Sequence, residues 1–365
     1  PQNPYQNIKD NPINNIIVDN DLSNGESCDN SSGCEGGISL DRTQNGTPMI
    51  NINNATEGGV SANYYKKFDI TQEDLILNNY KGEAVNTHLG GVIYGNPSMN
   101  GSNGRVADII LNEITSNQQT KIEGYIEVAG NKADVIIANP NGIMVSGGGF
   151  INTSRLSMVT GSSLQQNSNN PNGISTSFDA DGNLNPFKLS DNPNAVINII
   201  GKNITNEKGD IVGYNIGIDA QNTDYLTLVS RVANITGDII GGINTTVDVK
   251  TGNDKAVFNK ETREFDVISK SNIETKTTKP QFAFDSTAMG GIYAGKVNII
   301  VTEEGVGVRT RGDVIAYVDD IDFDVNGNII FQNANLQTID QTKNINIKNS
   351  SVILTSSSDN PVSLP

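Results

Sequence analysis

The chain has 365 residues, a formal net charge of −16 at pH 7 and a sequence pI of about 4.4. Nucleic acid and anionic lipid repel so acidic a protein, which excludes both as partners. The sequence has no tryptophan, only 5% aromatic residues and no run near the roughly 18 apolar residues of a membrane span. Its many Ile, Val, Thr, Asn and Gly residues favour short strands and tight turns over helices.

Residues 1–37 form an extension rich in Asn, Ser, Gly and Asp, with one apolar patch from Ile13 to Val18. We expect this patch to pair as an edge or capping strand. The first residues, Pro1 to Pro4, have neither a basic start nor an apolar stretch, so they do not form a secretory signal. Composition leaves open a cytosolic protein and a processed, exported one.

The two cysteines, Cys28 and Cys34, lie in this extension with five small or polar residues between them. A ring of that size closes readily, and an oxidising destination favours a disulfide worth about 2–3 kcal/mol by loop entropy. A metal site is the alternative, but it needs additional His or Cys ligands that the chain does not offer. We therefore predict a local disulfide, no metal and no cofactor.

From about residue 38 the sequence changes to short β-branched strands that recur about every ten residues. Several alternate strictly between apolar and polar residues, as Ile321 to Val325 does, which is the period of a half-buried strand. The predicted strands include 49–52, 106–111, 121–128, 134–138, 196–200, 215–218, 238–240, 296–301, 328–331, 344–347 and 351–354.

Chains with this spacing form sandwiches, barrels or solenoids. The short strands, the Asn and Gly turns and the lack of aromatic residues to anchor a sandwich core favour a solenoid, although the residues alone leave solenoid and sandwich open. In a parallel β-helix, coils stack about 4.8 Å apart with columns of Ile, Val and Leu inside. At about 20 residues per coil this predicts on the order of 12 coils and a rod of about 60 Å.

Two stretches interrupt the rhythm, at about residues 162–194 and 250–282. The first contains Asp181-Gly182 between two phenylalanines, which predicts a β-hairpin with a type I′ turn. In the second, the segment from Phe258 to Phe265 predicts another hairpin. We expect both excursions to pack on the outside of the main fold.

The most informative stretch is residues 133–161, where a β-branched run enters the turn Asn139-Pro140-Asn141-Gly142 and a second apolar run leaves it at Ile143. Pro140 fixes φ at about −65°. Asn141 and Gly142 tolerate the left-handed conformation that a tight reversal needs. The amides of Asn139 and Asn141 are suited to bonding backbone groups that the turn leaves unpaired.

This stretch resembles the NPNGI signature of two-partner secretion domains, the N-terminal export modules of filamentous haemagglutinin-, haemolysin- and contact-inhibition-type exoproteins. Where the family usually has NPNL, this chain keeps Asn96-Pro97 and then departs from the pattern. Other blocks match in the family's order across roughly residues 45–310, namely Gly59 to Ile70, Ile110 to Ser116, Gly124 to Gly130, Asp219 to Arg231 and Met289 to Val308.

The resemblance implies a right-handed parallel β-helix with extra-helical hairpins and an N-terminal capping region. It implies an extension at residues 1–37, a secretion domain at 38–365 and a mature chain whose signal has been removed. The secretion motif would be Asn139, Pro140, Asn141, Gly142 and Ile143. A secondary motif would consist of Asn96, Pro97, Asn112 and Glu113.

The expected partner is an Omp85-type outer-membrane β-barrel transporter, whose POTRA repeats would recognise the chain in the periplasm of a Gram-negative-type bacterium. The expected product is a secreted or surface-exposed, non-enzymatic, monomeric module. Such a module begins contact-dependent toxins, haemolysins and adhesins alike. The sequence does not distinguish among these, nor does it identify a host or bacterial receptor.

Two other functions stay open. A β-helical polysaccharide lyase or hydrolase needs clustered carboxylates with Arg or Lys in one groove, and Asp319-Asp320 is the nearest candidate. An adhesin would bind a receptor directly through the surface of the helix.

Weaker motifs are interpreted as structural. The second NPNGI, Asn170 to Ile174, is expected to be a turn of similar chemistry, and His88 a surface or turn histidine. The remaining weak motifs are possible calcium loops beginning at Asp179 and Asp324, interpreted as hairpin turns, Arg311-Gly312-Asp313 at an inter-strand turn, and Ser146 to Gly149, interpreted as a close backbone approach.

Overall fold

The computed structural model describes residues 11–23, 37–166 and 175–355. Within these ranges the helical elements are a short helix α1 (Asn20–Ser23) and a 3₁₀ helix (Pro97–Met99). The strands of the first half are β1 (Ile16–Val18), β2 (Ser39–Arg42), β3 (Pro48–Asn51), β4 (Val60–Phe68), β5 (Leu75–Asn79), β6 (Ala84–Thr87), β7 (Gly91–Tyr94), β8 (Ile109–Ile114), β9 (Thr120–Ile122), β10 (Tyr125–Gly130), β11 (Ala133–Ala138), β12 (Ile143–Val145), β13 (Gly148–Ile151), β14 (Thr153–Val159), β15 (Gly161–Ser162), β16 (Phe187–Leu189) and β17 (Ile197–Ile199).

The strands of the second half are β18 (Lys202–Thr205), β19 (Ile211–Ala220), β20 (Tyr225–Ser230), β21 (Ala233–Ile235), β22 (Asp238–Gly241), β23 (Thr246–Thr251), β24 (Lys255–Asn259), β25 (Glu264–Ile268), β26 (Phe282–Ser286), β27 (Ile292–Ala294), β28 (Lys296–Val301), β29 (Gly307–Thr310), β30 (Asp313–Ala316), β31 (Ile321–Val325), β32 (Asn328–Gln332), β33 (Asn335–Thr338), β34 (Ile345–Lys348) and β35 (Ser351–Thr355).

Three long sheets run side by side along the molecule. The first sheet has the order β1-β4-β8-β11-β14-β20-β23-β28-β31-β34, the second β2-β3-β5-β10-β13-β19-β22-β27-β30-β33, and the third β9-β12-β17-β21-β26-β29-β32-β35. At the N-terminal edges, β1 pairs antiparallel with β4, and β2 with β3. Beyond these edges, neighbouring strands are parallel and come from successive turns of the chain. The fold is therefore a parallel β-helix with an antiparallel N-terminal cap, which confirms the predicted fold class.

The core lies inside the helix, where inward side chains of successive coils form columns. Strand register aligns one such column in the first sheet, and each of its members is at most 1% exposed: Ile110, Val135, Leu156, Leu226, Val247, Val297 and Ile321. Burial of each such side chain stabilises the fold by about 1.5–3 kcal/mol. The alternation that predicted half-buried strands is the inward and outward alternation of this wall.

Two expectations were wrong, one on the number of coils and the length of the rod, and one on aromatic residues in the core. The first sheet has nine parallel strands from β4 to β34, so the described residues form about nine coils, roughly 40 Å at 4.8 Å per coil, and not 12 coils over 60 Å. The prediction was too large because the chain also leaves the coils at β6–β7 and at β18–β19. Aromatic residues also enter the core, where Phe323 and Phe331 meet edge to face with ring centroids 5.4 Å apart.

The two predicted excursions form a single element, a four-stranded antiparallel outer sheet with the order β15-β16-β24-β25. The second excursion contains the predicted hairpin, with Phe258 opposite Phe265. The first is connected to it through β16, whose Phe187 pairs with Ala256. The expected type I′ turn was wrong, because Gly182 takes a positive φ of 81° and Asp181 does not.

The outer sheet covers the outward face of the first sheet over the early coils. The buried apolar cluster between them contains Val60, Ile109, Leu111, Ile136, Ala138, Val159 and Val229 from the first sheet, and Phe187, Leu189, Ala256 and Phe265 from the outer sheet. The packing of the excursions on the outside of the helix is thereby confirmed.

A small hairpin formed by β6 and β7 covers the second sheet in the same way, and the sequence did not predict it. Its Ile93 is buried against Met49, Ile76 and Ala129. The early coils are therefore covered on the outward faces of two sheets.

Candidate functional site

The Asn139–Ile143 turn connects the first sheet to the third, because it follows β11 and leads into β12. We call this position of each coil the first-to-third corner. Asn139 donates its backbone N–H to Val159 O at 2.9 Å, and Ile143 donates to Val196 O at 3.0 Å. These two acceptors belong to the next coil, so the turn continues the parallel pairing on either side of it.

The side chain of Asn139 is fully buried and has partners for both of its polar atoms. Its Nδ2 donates to Gln118 O and to Thr120 Oγ1, each at 2.9 Å, in the corner of the preceding coil. Its Oδ1 accepts the backbone N–H of Asn141 at 2.9 Å. One amide thus closes its own turn and attaches it to the previous coil.

Asn141 adds a second contact to the preceding coil, since its Nδ2 donates to Ser116 O at 2.7 Å. The predicted bonding of both amides to backbone groups is confirmed. Only Gly142 adopts the left-handed region, with φ 115°, so that expectation for Asn141 was wrong. A Cβ at Gly142 would also stand 3.1 Å from Asn194 O, so the next coil approaches too closely for a side chain.

Asn96 and Pro97 repeat this chemistry at a different corner, between the second sheet and the first. Asn96 is fully buried and caps the 3₁₀ helix, with its Oδ1 accepting Ser98 N–H at 2.9 Å. Its Nδ2 donates to Ile52 O at 2.9 Å and to Asn78 O at 2.8 Å, which belong to two successive coils. The two Asn-Pro turns are alike in bonding, but they lie at different corners.

Asn112 points into the helix from β8, beside Asn63 of β4. Its Oδ1 accepts a hydrogen bond from Tyr65 Oη at 3.2 Å. Asn63 accepts the backbone N–H of Asn53 at 2.8 Å and donates to Leu111 O. The interior of the first coils is thus partly a network of neutral amides, of which the sequence predicted only Asn112.

Glu113, the next residue, faces the opposite way, onto the outward face of the first sheet and under the outer sheet. It is fully buried, and its Oε1 accepts Ser163 N–H at 2.6 Å and Ser163 Oγ–H at 3.0 Å. Burial raises the pKa of Glu113 to about 7, against the lowering effect of these hydrogen bonds. The predicted secondary motif is therefore not one site, because Glu113 and Asn112 lie on opposite faces of the wall.

The sequence reasoning missed an ion pair at the first-to-third corner. Arg231 donates to both carboxylate oxygens of Glu303, at 3.0 and 2.7 Å, and both side chains are buried. Its Nη1 also donates to Asp191 O and to Thr277 Oγ1, which lie in the two excursions. The residues stand in blocks that carry the family resemblance, but nothing in either block alone points to the other.

Several weaker motifs have structural roles. Asp179 closes a hairpin turn by accepting Asp181 N–H and Asn183 N–H, each at 2.9 Å. The hairpin expected at Asp324 was wrong, because that segment connects β31 of the first sheet to β32 of the third. In the Arg311-Gly312-Asp313 triplet, Arg311 pairs with Asp285, and Asp313 accepts Tyr293 Oη–H at 2.8 Å.

The remaining predicted residues either lie outside the described ranges or form hydrogen bonds and ion pairs within the fold. Cys28, Cys34 and the second NPNGI lie outside the described residues. The backbone N–H of His88 donates to Glu127. Asp319 lies 3.7 Å from Lys296 Nζ, and Asp320 accepts Asn344 N–H at 2.7 Å.

In the part of the chain that the structure describes, no three His, Cys, Asp or Glu side chains converge on a point where a metal ion could bind. The helices within those same ranges are all too short to cross a bilayer.

A parallel β-helix with buried Asn-Pro turns in its first coils and extra-helical hairpins over them is the class of protein that this structure defines. The chain belongs to the TPS secretion domain family, whose model matches residues 25–331. Membership makes it a secretion domain of the exoproteins of Gram-negative bacteria. It implies a secreted or surface location and, in general, an outer-membrane transporter as partner.

Curated relatives include the tRNA nuclease CdiA-2 of Burkholderia pseudomallei, which is 32% identical over 80% of this chain, and the toxin CdiA of Yersinia pestis, 33% identical over 78%. The chain spans only 8% and 7% of their lengths. Among solved structures, a filamentous hemagglutinin secretion domain superposes with a TM-score of 0.60 at 23% identity, over 88% of this chain and 96% of that one. This likeness supports the fold.

Proposed function

We propose that the chain is the targeting module of a long exoprotein, recognised while extended by the POTRA repeats of an Omp85-type outer-membrane transporter and folded coil by coil outside the cell. The observation that carries this proposal is the burial of Asn139. A fully buried side chain that makes four hydrogen bonds to its own turn and the preceding coil is hidden from a partner once folded. Its role in export therefore lies before or during folding.

The physical logic has two parts. An extended segment can add as a strand to an exposed sheet edge of the transporter, gaining main-chain hydrogen bonds without a folded epitope. After exit, each new coil pairs with the previous one, and folding outside then opposes return through the pore. The Asn139–Ile143 turn, with Asn96, Pro97 and Asn112, would fix the coils on which later ones assemble, and Glu113 would fasten the outer sheet over them.

We propose further that residues 1–37 cap the domain that begins at residue 38, and that the exported domain is monomeric. The exoprotein itself we propose to be a contact-dependent growth-inhibition toxin, in line with the names of its relatives. A haemolysin or an adhesin with a host or bacterial receptor is the other outcome. Any such activity would lie in the rest of the exoprotein, since this chain spans less than a tenth of the length of its relatives.

The enzyme alternative is the weaker one. In a β-helical polysaccharide lyase or hydrolase, carboxylates must be free to act on a sugar in a groove. Here Asp319 faces Lys296 at 3.7 Å and Lys343 at 4.0 Å, and Asp322 lies 3.3 Å from Lys296 Nζ. These contacts favour charge pairing along the wall over an acid and base pair.

The test is export of Asn139→Ala from cells that secrete the unmodified chain. Asn206→Ala is the matched control, because Asn206 Oδ1 also accepts two backbone N–H groups, from Lys208 and Asp210, but in an exposed turn outside the coils. We expect Asn139→Ala to lower the extracellular yield several-fold while periplasmic precursor is degraded, and Asn206→Ala to be secreted normally. Normal secretion of Asn139→Ala would refute the proposal.

A further inference from the structure

Two buried glutamates hold extra-helical elements onto the early coils, and their surroundings differ. Glu127, 3% exposed, faces outward from the second sheet and holds the small hairpin. Its Oε2 accepts His88 N–H at 2.9 Å, and its Oε1 accepts Leu89 N–H at 2.8 Å. Both oxygens of this carboxylate therefore have a backbone donor.

Glu113 holds the first excursion with only one of its oxygens. Both hydrogen bonds from Ser163 reach Oε1, whereas Oε2 is buried and has no hydrogen-bond partner. Ser163 Oγ continues to Ser177 Oγ at 2.7 Å, and Ser177 Oγ is bonded to Tyr64 Oη. An ionised Glu113 would be costly, because Oε2 loses its bound water on burial and gains no other hydrogen-bond donor. A neutral carboxyl is less costly, since it leaves only one polar O–H without a partner.

The groups that face Glu113 from each neighbouring element are uncharged at neutral pH. Tyr64 faces it from β4 and Ala138 from β11. Ser162 and Ser163 face it from the first excursion, and Ser177 lies one hydrogen bond farther. Burial raises the pKa of the Tyr64 hydroxyl above its ordinary value, so this group stays protonated.

The nearest ion pair on this face, between Asp134 and Arg263, lies at the opposite end of β11. Among the described residues, Glu113 forms no ion pair with a cation. No described cation therefore offsets the negative charge of its carboxylate, and the pKa of about 7 that burial gives Glu113 agrees with this geometry.

We propose that Glu113 is a proton-binding group of the fold, and that docking of the described part of the first excursion (residues 161–166 and 175–189) on the first sheet takes up one proton there. When the excursion is docked, the carboxyl is neutral; when it is released, the carboxyl is in water and ionised. The outer sheet is then held more tightly in acidic than in neutral medium. The contact also lies near the Asn139–Ile143 turn, since Glu113 pairs in register with Ala138, the residue before Asn139.

The direction and the pH range of this effect follow from the pKa of Glu113 in the released and docked states. The pKa is raised from 4.5 to about 7 on docking, so the stabilisation is complete below pH 4.5 and is lost as the pH rises to about 7. One linked proton changes the docking equilibrium by about tenfold per pH unit inside this window. Above pH 7 the equilibrium becomes independent of Glu113.

The experiment has a direct and an indirect readout, both on the whole chain. Carbon-13 NMR of the glutamate carboxyls from pH 4 to 9 is expected to show one carboxyl with a midpoint near 7, which is missing in Glu113→Gln. Hydrogen-exchange protection of residues 161–166 and 175–189, corrected for intrinsic rates, should fall with pH in the unmodified chain and be flat in Glu113→Gln. The matched control, Glu127→Gln, should reduce protection of residues 84–94 and leave the pH dependence of 161–166 and 175–189 unchanged.

Three results would overturn the proposal. One is the absence of a glutamate midpoint above about 6 in the unmodified chain, which needs no mutant and so does not depend on the folding of Glu113→Gln. The second is a pH dependence of protection at residues 161–166 and 175–189 that survives in Glu113→Gln. The third is loss of that dependence in Glu127→Gln. None of these depends on export, so the proton-binding role and the proposed function fail separately.

Discussion

The coils before residue 145 and those after residue 220 share one backbone plan but are held together differently. In the early coils, buried amides such as Asn63, Asn96 and Asn139 bond backbone groups of neighbouring coils. In the late coils the corresponding interior consists of aliphatic and aromatic columns, with Phe323 aligned on Ile299 and Ile347. Hydrogen bonds to a buried amide are directional, whereas aliphatic burial is not. The early coils therefore fix register, and the late coils extend it.

The outward face of the first sheet also differs between the early and the late coils. Over the early coils, the first sheet presents Ile109, Leu111 and Ile136, and the outer sheet covers them. Over the late coils it presents a polar row, in which Asn298 donates to Asp248 at 2.7 Å and Asn346 to Asp322 at 2.7 Å. The outer sheet reaches as far as Val229 of β20, so the apolar cover of the outward face ends there and a polar face follows over the later coils.

The largest expected effect falls in the late region, where Arg231 and Glu303 form their buried ion pair. Removal of the guanidinium in Arg231→Ala leaves Glu303 as an unpaired buried charge and releases contacts to both excursions. We expect this to lower the free energy of unfolding by about 3–5 kcal/mol, measured by denaturant titration. The double mutant Arg231→Met, Glu303→Leu should cost much less than the single change. Equal losses in the single and double mutants would mean that the pair's charge is not what matters.

The predicted disulfide tests how far the early region extends. If Cys28 and Cys34 are bonded, the non-reduced chain should weigh two hydrogens less than the reduced one. Replacement of both by Ser should then lower stability by at most about 2–3 kcal/mol and leave secretion intact. Collapse of the fold in this double mutant would show that the N-terminal extension is an integral cap of the first coils.

The smallest expected effect tests how much a buried amide stabilises the early coils. Asn96→Ala removes two donors to Ile52 O and Asn78 O and the cap of the 3₁₀ helix, at a cost of about 1–3 kcal/mol. Hydrogen exchange should show the loss first in β3 and β5. A matched change in the late coils, Asn346→Ala, removes an exposed amide that donates to Asp322 and should cost less than about 1 kcal/mol. Equal costs at both positions would remove the distinction between the regions.

Sequence predicts the late coils better than the early ones. The strict alternation from Ile321 to Val325 is produced by one inward and one outward face, so β31 follows from local pattern. The Asn139 turn was also predictable, because Pro140 fixes φ and Gly142 permits the positive φ that the turn needs.

What the sequence did not predict depends on contacts between distant residues. The outer sheet requires Phe187 to pair with Ala256, and no local pattern specifies that partner. In a chain rich in asparagine, the buried Asn63 and Asn53 are indistinguishable from those in exposed turns. Glu113 and Asn112 are adjacent in sequence, and only the direction of each side chain from β8 separates their roles.

The central claim is that export depends on the early coils and not on stability as a whole. The most direct measurement compares the extracellular yield of Asn139→Ala and Arg231→Ala with their free energies of unfolding. The account predicts that Arg231→Ala, although the more destabilised of the two, is exported at close to the normal yield, while Asn139→Ala is not. A yield that simply follows overall stability, with Arg231→Ala the more poorly exported, would contradict it.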